Sequence, residues 1–333
     1  MMMKQEQTLS APIPVYILSG FLGSGKTTLL VKLIEYWKSQ NLTTAVVMNE
    51  LGEVNLDGKL IDQRVPMAEL LGGCICCSVR DNLGIELVQL VQNTSPDVVV
   101  IEATGVANPI EILDGLADTS LYVTLDVKGI ISVVDSIHLL ETYRLQKGKT
   151  FRLMQEQIRA ASILLLNKID RIEEKDQPEL LSLVKEWNEH ASVHFTEHCN
   201  IDPVLLAEDA SCPVNPEREV SASQAQKEHQ LHHSHNHVMV YTHYFNCKIN
   251  SVLFEQWLRE LPRDIYRAKG IVHFSDTGSR FLFQYAYREP DFTKLGPEEE
   301  LKDVGVFIGE HFSKTELIQL LQQLEEESSK IKS

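Results

Sequence analysis

No uninterrupted apolar stretch of this sequence reaches the roughly 20 residues that a membrane-spanning helix requires. Its first residues, MMMKQEQTLSAP, lack the apolar core of a secretory signal. Positive charge is in deficit: 31 Lys and Arg stand against 47 Asp and Glu, a formal net charge of -16. That balance repels phosphate backbones and anionic lipid surfaces, so neither a nucleic acid nor a membrane is an expected partner. No internal repeat is present. Cysteine is too scarce for a disulfide scaffold, with 6 in 333 residues, and the expected compartment is the cytoplasm, where thiols stay reduced. What the chain does have is a 43% hydrophobic content, enough for a sizeable core in one large domain or two ordinary ones.

The apolar runs VYILSG, TTAVVMNE, DVVVIEATG, GIISVVDS and ASILLLNKID are short, rich in Val and Ile, and end in polar residues or glycine. Strands buried on both faces of a parallel sheet have this composition. Helical patterns lie between them; Leu29, Leu30, Leu33, Ile34 and Trp37 recur on one face. The alternation predicts an α/β fold, a doubly wound and mostly parallel sheet with ligands at the C-terminal ends of its strands. The expected division is a disordered N-terminus over 1–11, the α/β domain over 12–205, and a polar His-rich linker or loop over 206–238. A smaller α+β domain follows over 239–326, with a charged tail over 327–333.

SGFLGSGKTTLL follows the first expected strand and opens the first helix, fitting G-x-x-x-x-G-K-[ST] through Gly20, Gly25, Lys26 and Thr27. Glycines, here also Gly23, let the backbone amides of a loop with Ser24 and Thr28 wrap phosphates at a helix N-terminus, and Lys26 reaches the β and γ oxygens. The Thr27 hydroxyl is a Mg²⁺ ligand in this pattern. DVVVIEATG ends a strand in Glu102, which can hold the Mg²⁺ shell, and the Gly105 amide can sense a γ-phosphate. LLLNKID supplies Asn167, Lys168 and Asp170; the Asp170 carboxylate can accept from guanine N1–H and its exocyclic amine, a donor pair adenine lacks. Together the three motifs predict GTP rather than ATP, with Lys26, Thr27 and Glu102 carrying hydrolysis. No Gln or Arg finger is identifiable; Arg80 is a candidate charge stabiliser.

With GFLGSGKTTLL, NELGEV, GGCICC, VIEATGVANP, NKID and LPRDIYRAKGIVHF in view, the chain resembles the CobW-type metallochaperone GTPases. These are relatives of the hydrogenase- and urease-maturation GTPases of the SIMIBI class. The resemblance covers most of the chain, and the C-x-C-C element marks its branch. It implies a GTPase whose nucleotide state controls delivery of a transition metal to a client apo-metalloprotein. It places the metal motif on Cys74, Cys76 and Cys77 and a switch-like loop on Asn49, Glu50, Gly52 and Glu53. Two positions depart from the family pattern: the acid after the cysteines falls one place early, at Asp81, and Ser162 stands where the family often has Asp.

Thiolates favour Zn²⁺ or Cu(I) over Mg²⁺, and three of them leave a tetrahedron incomplete, with Glu53 the candidate fourth ligand. One of the three cysteines can equally be a buried small hydrophobe; a vicinal disulfide and a redox pair are disfavoured by compartment, geometry and context. HQLHHSHNH places His229, His232, His233, His235 and His237 together, either as an auxiliary metal-collecting site or as solvated linker. Zinc is the expected cargo. Cobalt (Co²⁺) insertion and a nucleotide-gated metal buffer are the alternatives, and a homodimer is compatible with the sequence.

Overall fold

The computed structural model describes residues 11–50, 65–71, 78–145, 148–206, 238–286, 288–296, 301–310 and 312–331. In order these form β1 (Ile13–Ser19), α1 (Lys26–Ser39), β2 (Thr44–Glu50), β3 (Met67–Leu71), α2 (Ser78–Thr94), β4 (Val98–Glu102) and α3 (Pro109–Thr119). There follow β5 (Leu125–Asp135), α4 (Ser136–Leu145), α5 (Lys149–Ala160), β6 (Ile163–Asn167), α6 (Gln177–Trp187) and β7 (Ser192–Thr196). The second half holds β8 (Val238–Tyr244), α7 (Ser251–Glu260), β9 (Ile265–His273), β10 (Arg280–Ala286), β11 (Glu289–Lys294), β12 (Val304–Glu310) and α8 (Lys314–Lys330).

Strands β1 to β7 make one seven-stranded sheet in the order β3-β2-β4-β1-β5-β6-β7. Every pairing in it is parallel, as the continuous apolar runs predict. All five residues of β4 and of β6 are buried. Helices cover both faces, α1 through Leu29, Leu30, Leu33, Ile34 and Trp37 on one, α2 and α3 through Leu83, Leu87, Ile112, Leu113 and Leu116 on the other. Central β1 lies between β4 and β5, and the chain winds away from it in both directions. The crevice where ligands bind in such sheets therefore opens at the end of β1, where SGFLGSGK begins.

Strands β8 to β12 make a second, antiparallel sheet in the order β11-β10-β9-β12-β8. Alternation sorts its side chains: Phe283, Tyr285, Phe307, Ala268 and Val272 face α7 and α8 in a separate, aromatic-rich core. The opposite face turns to the first sheet, where Val240, Val306 and Ile308 join the core of α2 and α3. Helix α8 runs on to Lys330 with Ser328 buried, into the segment the sequence reads as a charged tail. Among the described residues no helix is long and apolar enough to cross a membrane.

Candidate nucleotide site

The loop between β1 and α1 takes its shape from positive backbone angles at Gly20, Gly23 and Gly25 (φ 130°, 73° and 117°). A Cβ on Gly20 would sit 2.1 Å from the Val133 carbonyl oxygen, and one on Gly25 2.6 Å from Asn167 Nδ2 and 2.9 Å from Cys199 Sγ. Glycine is thus required twice, for conformation and for space. Helix α1 starts at Lys26 with no side-chain cap and no acid in its first turn, so its leading amides and positive dipole end are available to an anion. Lys26 is 8% exposed and its Nζ donates to the carbonyls of Gly20 (2.9 Å) and Phe21 (3.2 Å), holding the ammonium across the loop.

Thr27 Oγ1 donates to Glu102 Oε1 at 2.9 Å, joining the start of α1 to the end of β4. Two hard oxygens converging beside a phosphate cradle fit Mg²⁺. Beyond Glu102, Gly105 lies against the cradle: a Cβ there would meet the Leu22 amide nitrogen at 2.6 Å. The loop is held from behind by Gln157 of α5, 1% exposed, whose Nε2 donates to the carbonyls of Gly105 (3.2 Å) and Ala107 (3.4 Å). Asn108 then caps α3, accepting from the Ile110 amide at 3.0 Å.

At the other end of the cradle, Asn167 Nδ2 donates to the Ser24 carbonyl at 2.8 Å, and Asn167 Oδ1 accepts from Thr196 Oγ1 (3.2 Å) and the Cys199 amide (2.8 Å). Lys168, at φ 62°, donates through Nζ to the Gly23 carbonyl (2.7 Å) and to Asp135 Oδ2 (2.6 Å). Asp170 is exposed on the short turn that follows, its carboxylate open to solvent. Burial pushes the Cys199 thiol up to about 11, Lys32 and Lys168 opposing, and its Sγ lies 3.3 Å from the Gly25 carbonyl.

Gly20, Gly23, Ser24, Gly25, Lys26, Thr27, Glu102, Asn167 and Lys168 are therefore one bonded constellation, with Gly105 packed beside it at Leu22, Asp170 at its rim and Thr28 exposed on α1. Sequence reasoning missed Asp135, Gln157 and Cys199. Asp135 carried a weak signal, as an acid closing a buried strand; the other two carried none. Ser162 bridges the sheet by itself, accepting from the Ile130 amide and donating to the Ile130 carbonyl, a pairing that an ionised Asp could not donate to. The metal-ligand expectations on Cys74, Cys76, Cys77, Glu53, His229, His232, His233, His235 and His237 lie outside the described residues. Among those described, no group of three or more His, Cys, Asp or Glu side chains could hold a metal ion.

A phosphate cradle at the end of β1, a strand-end acid bonded to its threonine, and an N-K-x-D turn packed on the cradle define a P-loop nucleotide-binding protein of the GTPase type. Residues 14–195 match the CobW/HypB/UreG nucleotide-binding domain, and residues 241–325 match the cobalamin synthesis protein cobW C-terminal domain. The chain belongs to the CobW/HypB/UreG family. It is 30% identical over 311 residues to the "Zinc chaperone YjiA" of Escherichia coli (strain K12), covering 90% of this chain and 94% of that one. To the "Zinc-regulated GTPase metalloprotein activator 1" of Dictyostelium discoideum it is 31% identical over 217 residues, 54% of this chain and 44% of that one. To the "Zinc chaperone YeiR" of Escherichia coli (strain K12) it is 32% identical over 224 residues, 67% of this chain and 63% of that one, so the match spans less than two thirds of each of these last two proteins. Among solved structures, that of Zn(II)-bound YjiA GTPase from E. coli superposes with a TM-score of 0.42 at 23% identity, over 94% of this chain and 99% of that one.

Proposed function

We propose that this chain is a cytoplasmic GTP-hydrolysing metallochaperone: it binds zinc through Cys74, Cys76 and Cys77, with Glu53 as candidate fourth ligand, and passes it to a client apo-metalloprotein under nucleotide control. The observation that carries the GTP half is the attachment of Asn167 and Lys168 to the phosphate cradle at Ser24 and Gly23. It sets the base-reading turn at a fixed reach from the phosphates, with Asp170 free to accept from guanine. The zinc half rests on the thiolate-rich motif and on the names carried by three relatives.

In this reading the amides from Gly23 to Lys26 hold the β-phosphate at the positive end of α1, and the Lys26 ammonium neutralises charge that grows on the β–γ bridge as water attacks in line. Thr27 and Glu102 would hold Mg²⁺, which when bound shares the neutralisation of the phosphate oxygens. The Gly105 amide faces the γ-phosphate end, where its loop can register whether that group is present. The cysteine motif and α2 lie between the strands β2 and β4 in sequence, so zinc affinity would follow the nucleotide.

The test compares GTP with ATP in binding and turnover, then zinc content and transfer to an apo-client in GTP-analogue and GDP states. A preference for GTP of at least tenfold, and a zinc dissociation constant that differs between the two states, are expected. Equal use of ATP would remove the base-recognition reading. Unchanged zinc content in the triple variant Cys74→Ser, Cys76→Ser, Cys77→Ser would remove the cargo site.

A further inference from the structure

Helix α3 leaves the loop that backs onto the phosphate cradle, and its far face is gripped by the second sheet. Asp114 and Asp118 stand one helical turn apart, about 6 Å along the axis. Arg267 and Lys269 stand two residues apart on one face of β9, about 6.7 Å. The spacings match, and Arg267 pairs with Asp114 while Lys269 pairs with Asp118. A third, apolar rung continues in the same direction, where Ile271 and Val304 pack against Leu121. Strand β12 sets Ile308, Val306 and Val304 in register beside Arg267, Lys269 and Ile271. Val306 and Ile308 enter the same core as Ile112, Leu113 and Leu116 of α3, so the ion pairs flank a dry contact rather than a solvated one. Such flanking charges fix register, which apolar contact alone leaves loose.

From this grip the covalent path to the phosphates is short. Asp114 is nine residues from Gly105, all of them in α3 or in the loop held by Asn108 and Gln157. We propose that Arg267 and Lys269 are positioning residues for GTP hydrolysis: through α3 they hold the Thr104–Ala107 loop, and with it the Gly105 amide, against the P-loop at Leu22. This rests on the reading of the site as a GTPase and gives the C-terminal domain a role in turnover. Neither side chain touches nucleotide. Their effect falls on the γ-phosphate end and leaves the base and the β-phosphate, hence GDP, untouched.

The test uses the full chain, with kcat and KM for GTP, GDP affinity from a fluorescent GDP, and thermal unfolding to show that each variant is folded. The double variant Arg267→Ala/Lys269→Ala should lower kcat at least fivefold while the GDP dissociation constant stays within twofold. The exchange Asp114→Arg/Arg267→Asp should restore at least half of the kcat that Arg267→Asp alone loses, and Arg267→Lys should stay near wild type. If the alanine pair unfolds the protein, Arg267→Gln and Lys269→Gln keep the stems packed and serve in its place. An unchanged kcat in folded variants overturns the proposal, as does a parallel fall in kcat and GDP affinity or an exchange that restores nothing. A wild-type chain that fails to bind GTP would overturn the nucleotide reading itself, a result separate from variants that are indifferent in an active enzyme.

Discussion

Gly25 concentrates two demands in one residue. Its backbone is left-handed, and its missing side chain makes room for Asn167 and Cys199, so the proposed phosphate loop and the proposed base-reading loop touch at this point. Gly25→Ala must either move the backbone carbonyl that Cys199 faces or push the Asn167 amide off Ser24. We expect it to cost about 1–3 kcal/mol of stability and to weaken GTP at least tenfold, read by thermal unfolding and by nucleotide titration. Asp170 makes the opposite kind of statement, since it is exposed and, in the proposed site, needs only to offer an acceptor pair. Asp170→Asn turns one acceptor into a donor, so it should lose GTP and gain xanthosine triphosphate, whose base presents a carbonyl where guanine presents its amine. Competition between the two triphosphates measures this directly; retention of GTP preference would move base recognition elsewhere.

At the scale of elements, loops are held by helices that take no part in chemistry. Gln157 on α5 reaches two carbonyls of the loop after β4 from a fully buried position. Gln157→Ala leaves both carbonyls without that donor, the buried one at Gly105 costing about 1–3 kcal/mol and the half-buried one at Ala107 less, and frees the loop that carries Gly105. Hydrolysis should fall on the order of tenfold or more, because phosphoryl transfer depends on the positioning of groups around the γ-phosphate, with GDP affinity retained. Steady-state kinetics beside GDP titration separate these two effects. No periodicity announces such a residue, and the same limit governs the rest of the molecule. The strands β1, β4 and β6 and the motifs at their ends are legible because buried parallel strands and phosphate loops are written in consecutive residues. Strand β3 (MAELL) has a pattern equally suited to a helix, β7 (SVHFT) is a half-exposed edge, and Gly305 and Gly309 interrupt β12. Gly309 is there because a Cβ would sit 2.2 Å from the Asp264 carbonyl oxygen, a reason that exists only once β9 is beside it. Cys199 is invisible and Asp135 only faintly marked for the same cause: Gly25 and Lys168 give them meaning across more than thirty residues of chain.

For the whole molecule, the seam between the two sheets is where apolar contact, charge and phenols meet. Tyr244 of β8 accepts from the Leu125 amide at 3.1 Å, and burial pushes its phenol up to about 12; burial raises Tyr266 near the same seam as well, and Tyr241 on the α8 side of the sheet. Each raised pKa means that the folded state holds its proton after the unfolded state has released it. Their stabilisation is therefore complete below pH 10 and is lost as pH rises through 10 toward 12. Cys199 and Tyr16 act in the same sense, whereas Lys185 and Lys314, lowered by burial, relax as their unfolded forms deprotonate and act in the opposite one. A raw alkaline melting curve mixes these, so the seam is isolated by comparison with Tyr244→Phe. That variant leaves the Leu125 amide without its acceptor and should lose about 1–2 kcal/mol at pH 8. Between pH 10 and 12 it should then fall less steeply than wild type, because one phenol no longer titrates. Parallel curves would mean that Tyr244 ionises alike in both states and that the seam around Leu125 is open to water.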